Sequence, residues 1–190
     1  MSGRLEGKVA IVVGGGTGFG QATVRRFSEE GATVVVAGRR LEVAEEVADT
    51  YGGTAARCDV TDDESVQALV ATTLERHGDV DIAISYAGFT EPISIRDLTP
   101  ELMAPMIDVQ FNGAMYFIRH CANAMAAHGG GSLINISSTT AQRPTTRHIA
   151  YAAAKAGIEY ATQVAALDYG PDQVRVNCIA PHLIETEMTS

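Results

Sequence analysis

Residues 8–20 read KVAIVVGGGTGFG, an apolar, β-branched run from Lys8 that stops at Val13 and gives way to glycines at 14, 15, 16, 18 and 20. Such a run predicts a strand, and the segment from Gly18 to Glu30 has helical period. Glycine lets a backbone turn tightly and be approached closely, while a helix N-terminus presents free N–H groups with a partial positive charge. A strand running through a glycine turn into a helix therefore suits a dinucleotide phosphate. The spacing is G-x-x-x-G-x-G at Gly14, Gly18 and Gly20. It is neither G-x-G-x-x-G nor a loop ending in G-K-[ST], which disfavours a nucleoside triphosphate. A glycine-rich turn with no ligand is the competing reading of these residues alone.

The strand pattern recurs in TVVVA (Thr33–Ala37), TAARCDV (Thr54–Val60), VDIAIS (Val80–Ser85), SLINIS (Ser132–Ser137) and VRVNCIA (Val174–Ala180). Helices are expected between them over Leu41–Tyr51, Asp63–His77, Thr99–Ala127 and Tyr151–Tyr169. Six strands joined by helical crossovers predict an α/β fold, a doubly wound parallel sheet of the Rossmann type with helices on both faces. No linker or repeat interrupts the pattern, so residues 1–190 are expected to form a single dinucleotide-binding domain. Ligands of such sheets bind beyond the carboxyl ends of the strands, where the strand order reverses.

With 23 acidic and 14 basic residues the formal charge is -9, and no basic cluster interrupts the excess. That balance argues against nucleic acid or an anionic membrane as partner and favours small molecules or protein. Cys58, Cys121 and Cys178 are odd in number, far apart and set in apolar stretches, which predicts packed thiols rather than disulfides or metal ligands. There is no charged-then-apolar leader, and no apolar run approaches the ~18 residues that span a bilayer. A cytoplasmic location is expected.

At the end of the second strand the sequence reads AGRR. An acid at this point of a dinucleotide fold holds the ribose hydroxyls, whereas an arginine accommodates a 2′-phosphate. Arg39 and Arg40, following Gly38, favour NADP, with NAD possible. Near the other end, AYAAAKAG (Ala150–Gly157) places Tyr151 and Lys155 four apart, on one face of a helix cleared by alanines. A phenol has a pKa near ~10, so proton transfer at neutral pH calls for a shift of roughly three units, or about 4 kcal/mol. A fixed ammonium nearby supplies an effect of that kind. Just upstream, INISS ends a strand with Ser137 and Ser138, hydroxyls that can hold a carbonyl oxygen as charge develops.

With these motifs in order, the sequence resembles the short-chain dehydrogenase/reductase family, from GKVAIVVGGGTGFG through CDVTD, YAG, NISS and YAAAK to RVNCIAPHLIETEM. The resemblance implies hydride transfer between a nicotinamide cofactor and an alcohol or ketone. It implies Tyr151 as proton donor or acceptor, Ser138 orienting the substrate oxygen, and Lys155 binding the nicotinamide ribose while lowering the Tyr151 pKa. Gly14, Thr17, Gly18, Phe19 and Gly20 match the phosphate turn, with Arg39 beside it. Asp59 and Val60 match the adenine contacts, Ala87 and Gly88 the loop under the cofactor, and Pro181, Ile184 and Thr186 the stretch holding the carboxamide and phosphates.

Several positions depart from the family pattern. Val13 replaces a threonine, and SYAG stands for NNAG, so Ser85 and Tyr86 remove hydrogen bonds expected to brace the glycine turn. Gln110, in DVQFNGA, aligns with the family's catalytic asparagine, whose helix kinks so that its carbonyl holds a water near the lysine. Pro105 lies in the same predicted helix, which is expected to bend near the site. His182 replaces a glycine after Pro181. Family members generally continue past EMTS through a substrate lid and a seventh strand, which are not readable in these 190 residues. The predicted helix from Tyr151 is apolar or small nearly all round, which predicts a homo-oligomer, dimer or tetramer, packed through it and the Met103–Ala127 helix. Two other functions stay open: a cofactor-binding scaffold or regulatory subunit without turnover, and an epimerase or dehydratase using the nucleotide as a bound redox relay.

Overall fold

The structure, a computed structural model, describes residues 3–182. Its strands are β1 (Val9–Val13), β2 (Thr33–Gly38), β3 (Thr54–Arg57), β4 (Ile82–Ser85), β5 (Gly131–Ile136) and β6 (Val174–Ile179). All pair in parallel in the order β3-β2-β1-β4-β5-β6. The connecting helices are α1 (Gly18–Glu29), α2 (Leu41–Tyr51), α3 (Asp63–His77), α4 (Pro100–Ile107), α5 (Gly113–Ala127) and α6 (Ile149–Tyr169). This is the doubly wound sheet the alternating pattern predicts, with the order reversing between β1 and β4.

Side-chain alternation along the strands divides the core into two layers. Ile11, Val13, Val35 and Ala37 pack with Val66 and Leu69 of α3 and Phe117, Cys121 and Met125 of α5. Val12, Val34 and Val36 point the other way, onto Val24 of α1 and Ala44 and Val47 of α2. Each such buried side chain contributes about 1.5–3 kcal/mol before conformational entropy is charged against it. The expected cover of helices is unequal, however. Among the described residues no helix lies over the α1/α2 face of β6, where Arg175, Asn177 and Ile179 are exposed. The three cysteines are free, Cys58 and Cys121 buried and Cys178 half-buried, and burial pushes the Cys58 thiol up to about 11. Among the described residues no helix is long and apolar enough to cross a membrane.

The helix expected over Thr99–Ala127 is divided by a π-turn, Asp108–Asn112, in which the Gly113 N–H donates to the Asp108 carbonyl. Thr99 caps α4 by accepting from the Leu102 N–H, and Pro100 occupies the tolerant first position. Pro105 leaves the Glu101 carbonyl without its helical donor, but the interruption itself comes later and surrounds Gln110, which is 2% exposed.

Candidate active site

Across the β1/β4 reversal two loops face each other. The Gly14 N–H donates to the Ala37 carbonyl and the Tyr86 N–H to the Val13 carbonyl, each at 2.8 Å. Gly14 has φ +74°, and a Cβ there would meet the Tyr86 and Ala87 backbone at 3.1–3.2 Å. A Cβ at Gly20 would lie 2.0 Å from the Gly14 carbonyl oxygen, so the helix enters against the turn only because that atom is missing. α1 then starts from extended Thr17, with no side-chain cap and no acid in its first turn. α3 is the opposite: Asp62 accepts from the Glu64 N–H at 3.0 Å, and Asp63 and Glu64 fill its first turn. The N–H groups opening α1 are thus left for an anion, with the Phe19 ring 37% exposed beside them.

At the neighbouring strand ends, Arg39 and Arg40 are exposed and a Cβ at Gly38 would touch nothing within 4 Å. The Asp59 carboxyl is held below its ordinary range chiefly by the Thr61 N–H, at 3.0 Å, with Arg39 among the lesser causes. Val60 is buried, and a Cβ at Gly113 would meet its side chain at 2.9 Å, so that side chain belongs to the core.

On the other side of the reversal, β5 ends at Ile136 and α6 carries Tyr151 and Lys155. Lys155 is 6% exposed; its Nζ donates to the Ile136 carbonyl at 2.7 Å and lies 5.6 Å from the Tyr151 ring centroid. Burial lowers its pKa to about 8, against a smaller opposing effect of Cys178. Ser137 faces inward, donating to the Lys155 carbonyl at 3.2 Å and to Glu159 Oε1 at 2.8 Å, while half-buried Ser138 accepts from the Thr140 N–H and neighbours the Tyr151 hydroxyl. The expected lowering of the Tyr151 pKa is not met: burial pushes the phenol up, and Ser138 offsets only part of that. The Lys155 ammonium, meanwhile, donates to the Ile136 carbonyl.

Gln110 projects from the π-turn to the loop after β4, its Nε2 donating to the Phe89 carbonyl. Its amide fills the space a Cβ at Gly88 would need, with contacts at 2.8 Å, and its Oε1 is buried without a partner among the described residues. Together with Ala87, Asn135, Ile136 and Lys155 it lines a cavity of about 10 Å³, near the size of one water. Pro181 accepts from the Thr139 N–H through its carbonyl, and His182 Nδ1 shares a 3.0 Å hydrogen bond with Thr139 Oγ1. Ile184 and Thr186 lie outside the described residues. Sequence reading missed Glu159, one turn beyond Lys155, although the Tyr151–Lys155–Glu159 spacing was visible; it missed Thr23, which bonds Tyr86, because no pattern links them.

These positions can be compared with known proteins. The model of the family described as short chain dehydrogenase matches residues 8–190. Short-chain dehydrogenase reductase 3c of Arabidopsis thaliana is 38% identical, with 100% of this chain and 76% of that protein covered. Borneol dehydrogenase, mitochondrial, of Lavandula x intermedia is 32% identical, covering 98% and 73%. Among solved structures, a putative short-chain dehydrogenase/reductase from Burkholderia xenovorans superposes with TM-score 0.90 at 36% identity, covering 96% of this chain and 77% of that one. With the glycine turn at the strand-order reversal and the tyrosine–lysine helix across from it, and with a likeness running almost from end to end, the chain belongs to the short-chain dehydrogenase/reductase family and is an NAD(P)-dependent oxidoreductase.

Proposed function

We propose that the protein transfers a hydride between NADP(H) and an alcohol or carbonyl substrate at the C-terminal ends of β1, β4 and β5. The observation that carries this reading is the meeting of Tyr151, Ser138 and the buried Lys155 ammonium across the sheet's reversal from an uncapped helix N-terminus. The residues present suit the cofactor: Gly14, Gly18 and Gly20 with Thr17 and Phe19 take the diphosphate, Arg39 the 2′-phosphate, Asp59 and Val60 the adenine, and Ala87 and Gly88 the underside. The nicotinamide, when bound, supplies or accepts the hydride. Ser138 orients the substrate oxygen, and Tyr151 gives that oxygen a proton in reduction or takes it in oxidation. Lys155, mostly charged at neutral pH with a pKa of about 8, holds the ribose hydroxyls. Gln110, through the π-turn, serves the proton path beside Lys155.

The raised Tyr151 phenol favours, taken alone, a second reading as a cofactor-binding scaffold without turnover. Titrating NADPH and NADH, followed by turnover on a panel of ketones and alcohols, separates the two. Turnover lost in Tyr151→Phe with nucleotide binding retained supports catalysis; binding with no turnover anywhere on the panel supports the scaffold. The proposal extends to a homo-oligomer, dimer or tetramer, because Tyr160, Val164 and Leu167 form an apolar stripe on α6 that is 70%, 43% and 79% exposed. A monomer in sedimentation at micromolar concentration would remove it. The proposed setting is the cytoplasm, where three free thiols stay reduced.

A further inference from the structure

Val13, Ser85 and Tyr86 stand where the family pattern led us to expect hydrogen bonds bracing the glycine turn, yet the turn is braced by another route. Tyr86 follows the last residue of β4. Its hydroxyl shares a 2.7 Å hydrogen bond with Thr23 Oγ1, in the second turn of α1. Its ring stacks on Phe19, centroids 6.1 Å apart and planes 6° from parallel. Its N–H is bonded to the Val13 carbonyl at 2.8 Å, and its Cβ would lie 3.2 Å from a Cβ on Gly14. One residue thereby reaches the end of β1 through its backbone and the first and second turns of α1 through its side chain, close beside Gly14. Burial raises the phenol's pKa against the opposing pull of Thr23, so the ring stays neutral beside the ground where an anion would sit.

We infer that Tyr86, bonded to Thr23 and stacked on Phe19, is a positioning residue for the cofactor diphosphate: it holds the Gly14–Gly20 turn and the start of α1 in the binding geometry. The inference rests on the cofactor reading above. A turn already held in the bound shape loses less freedom on binding, and when the brace is removed the apparent Kd rises by the factor by which the competent shape is depopulated. For one ordinary neutral hydrogen bond that factor is about threefold to tenfold.

The test is NADPH and NADH titration of the wild type, Tyr86→Phe, Thr23→Val, the double variant and Thr23→Ser. It is read by nucleotide fluorescence, which no tryptophan obscures because the sequence has none, alongside thermal melts. Each single loss of a hydroxyl should raise both Kd values by about threefold to tenfold. The double variant should be no weaker than the weaker single, since both remove the same bond, and Thr23→Ser should bind like the wild type. Equal effects on NADPH and NADH place the change at the shared diphosphate rather than at the 2′-phosphate. Unchanged Kd values, additive effects, or lowered melting temperature at constant Kd would each overturn the inference. If Tyr86→Phe does not fold, Thr23→Val against Thr23→Ser carries the same comparison. A wild type that binds neither nucleotide overturns the cofactor reading and this inference with it, whereas wild-type binding with unchanged variants overturns this inference alone.

Discussion

α1 meets the crevice end-on, and α6 meets it side-on. At α1 the proposed contacts are backbone N–H donors, where Thr17 makes no side-chain cap and no acid occupies the first turn. At α6 the proposed groups are side chains, Tyr151 and Lys155, one turn apart on a stripe that continues to Glu159, where Ser137 is anchored. The difference predicts opposite sensitivities. A site made of backbone tolerates changed functional groups but not an added Cβ; a site made of side chains tolerates small steric changes but not a lost hydroxyl or ammonium.

The sharpest way to break the comparison is at α6. Tyr151→Phe removes a single oxygen and should lower turnover at saturating cofactor by about 10²–10⁴-fold, while NADPH affinity read by fluorescence stays within about threefold. Steady-state kinetics showing unchanged turnover would remove the catalytic role of the side-on helix. Lys155 gives the next largest effect. Its pKa is 10.5 in an unfolded chain and about 8 when folded, so between those values the unfolded state binds more protons and stability rises with pH. Relative to Lys155→Met, the wild type should gain about 3 kcal/mol across that window and nothing below it, as denaturant melts at several pH values would show.

At α1 the test is steric. Gly20→Ala puts a methyl 2.0 Å from the Gly14 carbonyl oxygen, and the turn must open. The variant should lose about 2 kcal/mol of stability in denaturant melts and weaken nucleotide binding in the same step; full affinity would show that the turn does not need its observed shape. The smallest expected effect sharpens the cofactor choice: Arg39→Ala should reduce the preference for NADPH over NADH by about tenfold, or 1.4 kcal/mol, in paired titrations.

How far the sequence could be read depended on distance along the chain. Among the described residues, β-branched runs and helical periods recovered the strands and α-helices to within a few residues, with α4 and α5 read as one helix, because burial of a face imposes its period on neighbouring positions. The glycine turn and the Tyr151–Lys155 spacing were legible because each lies within a few consecutive residues. The π-turn was legible only through the resemblance, which led to an expected bend at the helix position of Gln110; helical patterning itself runs unbroken through Asp108–Asn112. Nor could the sequence show that Gln110 reaches the Phe89 carbonyl or that burial would outweigh the Ser138 hydrogen bond at the Tyr151 phenol.

Local periodicity and spacing were enough to define the doubly wound sheet, its glycine turn and the Tyr151–Lys155 face of α6. The brace from Tyr86 to Thr23, across 63 residues, the aim of the Lys155 ammonium and the bare face of β6 came only from folding. Each depends on which distant segments share a volume, and therefore on packing and desolvation that no short stretch of chain encodes.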